Sequence, residues 1–103
     1  IYIYILKNYI GGGKMSEIKE RFMKNNKIHT IPRKEKDKRE LMKIVAMEFE
    51  ENRTYKEKEI NLILRSFYDD YVLLRRYLVD YSLLSRDKEG QEYKLTTRGK
   101  EIS

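Results

Sequence analysis

Two adjacent arginines, Arg75 and Arg76, sit inside a helix-length apolar stretch, and Arg86, Lys88 and Lys94 follow at a turn. Arginine's planar fork of donors matches the O6 and N7 edge of guanine, and cations on a hairpin reach phosphate oxygens, so the pattern points to duplex nucleic acid. A second cluster, Arg33-Lys34-x-Lys36-x-Lys38-Arg39, offers phosphate neutralisation, an attraction that falls steeply with salt. The expected DNA-contact set is therefore Arg33, Lys34, Lys36, Arg75, Arg76, Arg86 and Lys88. Each has a plainer use. Asp69, Asp70 and Asp80 are ion-pair partners for the two arginines, with Arg76 and Asp80 at i, i+4, and the arm cations alternate with Glu35, Asp37 and Glu40 as on a solvated helix face.

Covalent and metal chemistry finds little support. Zero Cys excludes disulfides, thiolate catalysis and Cys-ligated zinc, and suits a reducing compartment. His29 has no second His for a metal site. Helix capping and surface ion pairs account for Glu57, Glu59, Asp69, Asp70 and Asp80, and nothing assembles a nucleophile, base and orienting group. Gly11 to Gly13, the one Gly run, lacks phosphate-loop spacing. The expectation is a protein that is not an enzyme and that holds no cofactor or metal. The tyrosines at 55, 68, 71, 77, 81 and 93 are of the type that stacks bases, but most fall at core or core-edge spacing, where a ring buries area and its hydroxyl finds a polar partner.

The 103 residues allow one compact domain, with 40% hydrophobic residues and nine Tyr for its core. No apolar run approaches the ~20 residues of a membrane span, and the first segment lacks signal-peptide order, so the chain reads as cytoplasmic with no membrane partner. The net charge of +6 is unevenly spread: residues 15 to 39 carry nine cations against four acids, residues 40 to 103 twelve against thirteen. Long-range attraction for phosphate belongs to the N-terminal part.

The elements that must position these residues follow from periodicity. Residues 1–14 read as a translated A/T-rich leader or a disordered tail, because Gly11-Gly12-Gly13-Lys14 before Met15 is what a ribosome-binding site gives in frame. The rival is a period-2 Tyr/Ile strand, and N-terminal sequencing of the native protein separates the two. Residues 15–30 read as a short helix capped by Ser16, with Ile18 and Phe22 on one face, fading at Asn25-Asn26 into a linker. Residues 31–103 form the main domain. Pro32 takes a first helical position, a helix runs from Lys34 to Glu50, and another from about Lys56 to Phe67 with Thr54 and Glu57 as capping box and Tyr55 stapled to Ile60. Asp69 or Asp70 caps a third helix with Tyr71, Leu74, Leu78 and Tyr81 on one face. Its other side carries Val72, Leu73 and Val79, which predicts burial on two sides or a partner interface. Leu83–Arg86 and Glu92–Leu95 make a hairpin around Asp87-Lys88-Glu89-Gly90, and Thr96 or Thr97 caps a last helix through Ile102. The expected fold is a mainly α single domain of winged helix-turn-helix type with a small β-hairpin.

Three blocks resemble an uncharacterised bacterial family, domain of unknown function twenty eighty-seven: Ile31-Pro32-Arg33-Lys34-Glu35-Lys36, Tyr55-Lys56-Glu57-Lys58-Glu59-Ile60-Asn61, and the run from Asp70 to Tyr81. Lys56 stands where that family leads one to expect a capping Thr, Tyr77 where an acid is usual, and Ser82 where Gly would end the helix. The resemblance implies a winged-helix-like fold and the provisional label of transcriptional regulator. It carries no activity and no catalytic residues. The tail Tyr93-Lys94-Leu95-Thr96-x-x-Gly99 is similar to the end of MarR- and PadR-type winged helices. Two functions are expected in competition: a small regulator bound to double-stranded DNA, or a non-catalytic module that pairs with a second copy or a regulator protein through Val72, Leu73 and Val79.

Overall fold

A computed structural model describes residues 16–96. Helix α1, described over residues 16–22, buries Ile18 and leads into a tight hairpin of β1 (Met23–Lys24) and β2 (Lys27–Ile28), with Met23 opposite Ile28. Asn25 and Asn26 turn it with φ of 54° and 63°, the two positive values that a type I′ loop demands and that Asn tolerates. This replaces the fading helix end and linker expected there, because strands this short carry no periodicity. The hairpin is sewn to the body: Ile28 N–H donates to the Phe67 carbonyl at 2.7 Å, and Ile28 is buried.

Helix α2 (Glu35–Ala46) buries Leu41, Met42, Val45 and Ala46 completely. It starts after Pro32 and stops short of Glu50. The N–H groups of Met47, Glu48 and Phe49 donate to the carbonyls of Ile44, Val45 and Ala46, a tightened last turn that keeps Phe49 in the core. Then follow β3 (Tyr55–Lys56), α3 (Glu57–Arg65), α4 (Tyr71–Asp80), β4 (Leu84–Arg86) and β5 (Glu92–Leu95). The sheet order is β3-β5-β4, antiparallel throughout, with Tyr55 opposite Tyr93 and Leu84 opposite Leu95. Among the described residues the molecule is thus a small α/β domain with four helices and two small antiparallel sheets: the expected helices and terminal hairpin are joined by the short strands β1, β2 and β3, which were not expected from sequence. Among the described residues, no helix is long and apolar enough to cross a membrane.

The helix ends show how residue type was accommodated. α3 is capped at Lys56 rather than Thr54: Glu59 accepts the Lys56 N–H at 3.1 Å, but lysine carries no acceptor, so only half of a capping box exists. Tyr55 and Ile60 then occupy the two staple positions, and both are buried. Asp70 caps α4 as expected, accepting the Leu73 N–H at 3.1 Å. Beyond α4, Ser82 adopts φ 60°, with Leu83 N–H donating to the Leu78 carbonyl at 2.9 Å and Ser82 N–H to the Val79 carbonyl at 3.0 Å. That pair of bonds is a Schellman motif built on serine. Thr96 Oγ donates to the Ser82 and Leu83 carbonyls, tying β5 to this corner. The closing helix expected through Ile102 and the readings of residues 1–14 lie outside the described residues.

Both departures have a stability consequence. Ser82→Gly removes a left-handed strain of about 1 kcal/mol, and Lys56→Thr supplies the missing acceptor for about 0.5–1 kcal/mol. Each substitution raises the melting temperature by a few degrees in thermal denaturation. A fall in either variant contradicts the assigned cap.

Candidate site on α4 and the terminal hairpin

α4 leaves the core through one face only. Leu74 and Leu78 are fully buried, packed among α2, α3 and β4, while Tyr71, Tyr77 and Tyr81 sit half-buried at the edges. On the other side a groove of about 290 Å³ opens between α4 and the β4–β5 strands. Val72, Arg75, Arg76 and Val79 line it from the helix, and Arg86 and Tyr93 from the strands. Part of each competing residue set expected from sequence meets on this surface: Arg75, Arg76 and Arg86 of the DNA cations and Val72 and Val79 of the partner residues, with Leu73, Lys88 and the arm cations outside the groove. Val72 is 49% exposed, Val79 and Leu73 are half-buried, and Arg76, Arg86 and Lys88 are exposed.

Arg75 differs from its neighbour. Its Nη1 lies 2.5 Å from Asn61 Oδ1 and 3.1 Å from Glu57 Oε1, and its guanidinium sits 6.0 Å from the Tyr93 ring centroid. Glu57 is fixed in turn, its N–H donating to the Gln91 carbonyl at 2.9 Å. Arg75 thus clasps the start of α3, the middle of α4 and the inner strand β5. Its partners are neither Asp69, Asp70 nor Asp80, and no ion pair joins Arg76 to Asp80. Glu57 and Asn61 were missed from sequence, although their i, i+4 spacing beside the apolar stripe of α3 was the available signal.

The basic arm divides as well. Lys38 lies 5.0 Å over the Tyr77 ring and pairs with Glu35 at 3.7 Å, and Arg39 lies 5.6 Å over Tyr81. Tyr77, in the place of the expected acid, receives the Lys38 ammonium on its ring. Arg33, Lys34 and Lys36 remain exposed. Tyr81 donates its hydroxyl to Glu35 Oε1 at 2.6 Å, which holds the Glu35 carboxyl below the usual carboxylate range, with Lys38 and Arg39 assisting. Burial, then the Glu35 carboxylate, pushes the Tyr81 phenol up to about 12. The β4–β5 turn is braced by Asp87, whose carboxylate accepts the Gln91 and Glu92 N–H groups at 2.7 and 3.2 Å, while Gly90 supplies a φ of 69°.

Two outcomes follow. Arg75→Ala costs about 1–2 kcal/mol in chemical denaturation, the worth of a charge-assisted pair discounted for the exposure of Glu57; an unchanged midpoint contradicts the clasp. Tyr81→Phe moves the Glu35 carboxyl back toward its ordinary titration range by NMR, with Lys38 and Arg39 still lowering it. Because Glu35 is lowered when folded, the parent's advantage over Tyr81→Phe is present at neutral pH and shrinks as pH falls through the Glu35 titration. The raised Tyr81 adds a term that is lost as pH rises through about 12. A Glu35 titration that does not move contradicts the bond.

No curated protein and no solved structure matches the chain. A family model described as an uncharacterised protein conserved in bacteria, DUF2087, matches residues 27–95, which span β2 to the end of β5 and include every residue lining the α4 groove. The chain belongs to the DUF2087 family.

Proposed function

We propose that the chain is a winged-helix domain of a transcriptional regulator that lays the α4–hairpin face on duplex DNA. The observation that supports this reading is the chain path, α2, β3, α3, α4, β4, β5 with sheet order β3-β5-β4, the order that a winged helix would have. In that fold α4 is the helix offered to the major groove and the β4–β5 turn is the wing. Arg76 faces the base edges, Arg86 and Lys88 neutralise phosphates from the strand and turn, and Arg33, Lys34 and Lys36 add attraction from the arm. Arg75 acts differently: engaged with Glu57 and Asn61, it sets the tilt of α4 and does not read bases.

A second reading draws on two observations. Residues 55–96 carry eight cations and eight acids, so this face has no mean attraction for phosphate. Asp80 also lines the groove, beside the half-exposed Val72. Both features suit a protein partner, whether a second copy or another regulator.

Fluorescence anisotropy on a random-sequence duplex, titrated with salt, separates the readings. The parent binds at low salt, and an Arg76→Ala, Arg86→Ala double variant binds about tenfold more weakly, with a salt slope reduced by about two. No binding at low salt together with a stable dimer in ultracentrifugation overturns the DNA reading in favour of the interaction module.

A further inference from the structure

A hollow larger than the α4 groove lies away from α4, between the β1–β2 hairpin, the end of α2 and the outer face of α3. We propose that it is a docking groove for an acidic amphipathic helix of a partner protein, independent of the DNA reading.

The hollow measures about 640 Å³, and none of its lining residues is shared with the α4 groove. Its floor is apolar, with Met23, Met47, Ile63 and the ring of Phe67. Leu62 stands at its rim 68% exposed, the most exposed large hydrophobic among the described residues. Among the described residues that side chain takes no part in the core: it lies on α3 opposite Ile60 and Leu64, which do. Two unbranched methionines beside an exposed leucine make a surface that adapts to apolar anchors.

Charge chooses the partner. Lys19 and Lys27 border the hollow, and a smaller one of about 190 Å³ continues it past Lys24. All three lysines are exposed, against one bordering acid among the described residues, Glu48. A helix with apolar residues at i, i+3, i+4 and i+7 and carboxylates on its flanks meets both features: leucine-type anchors fill the floor while acids face the lysines. Phosphates would meet the lysines but leave Leu62, Met23 and Met47 against a charged backbone. The groove is also preformed, since the Ile28–Phe67 hydrogen bond and the type I′ turn fix the hairpin against α3, which reduces the ordering cost of binding.

The test uses the full chain and a fluorescein-labelled synthetic helix of about five turns, with Leu at the anchor positions and Glu elsewhere, beside a control with Lys in place of Glu. The acidic probe binds saturably and the basic control does not. Leu62→Glu, and separately Lys19→Glu with Lys27→Glu, weaken binding tenfold or more, while thermal melts show that the exposed-site variants still fold. Absence of saturation, equal binding of the basic control, or indifference to the variants overturns the proposal. Displacement of the probe by random duplex DNA assigns the surface to nucleic acid, and a dimer in ultracentrifugation that Leu62→Glu dissolves assigns it to a second copy; either result also overturns it.

Discussion

Tyr55 joins the helical part of the domain to its terminal hairpin. Its ring is buried edge-on against Phe49 at a centroid distance of 5.2 Å, its hydroxyl accepts the Glu50 N–H at 2.8 Å, and its backbone pairs with Tyr93. A two-stranded hairpin is marginal in water, and this added strand turns β4 and β5 into a three-stranded sheet. Because α3 begins directly after β3, the pairing also fixes where α3 starts relative to β5. Glu57 and Asn61 are thereby held where Arg75 reaches both.

The consequence for α4 is a division of labour by side. Leu74 and Leu78 supply apolar burial, Arg75 supplies a directional tether, and the Schellman bonds at Ser82 set the angle at which the chain leaves for β4. What is left outward is short and mixed: Val72, Arg76 and Asp80 from the helix, Arg86 from the strand. Such a face is too balanced in charge to draw DNA from a distance, so a nucleic-acid role depends on a few local cations together with the exposed arm at Arg33, Lys34 and Lys36.

The three larger helices were legible because their buried residues recur at helical spacing, as at Ile60 and Leu64 or Leu74 and Leu78, and because Asp70 is an ordinary cap. The β4–β5 hairpin was legible from its Gly90 turn. The short strands were not, since β1, β2 and β3 have two residues each and alternation needs more. The caps at Lys56 and Ser82 were hidden for another reason: neither residue is a preferred type at its position, and the surrounding packing imposes the geometry on them. For the site, the sequence singled out cations and an apolar trio but did not show that Arg75, Arg76 and Arg86 line one groove with Val72 and Val79, while Leu73 and the arm cations lie outside it. Nor did it separate Arg75 from Arg76, because the partners that distinguish them come from another helix.

On the proposed function, the α4–hairpin face is the surface that would meet DNA. The most direct measurement is a map of backbone amide shifts on the full chain as random duplex is added. Binding through this face shifts Val72, Arg76, Arg86 and Lys88 and leaves the Leu62 side of α3 undisturbed. Shifts confined to the Leu62 side, or none at low salt, would contradict it.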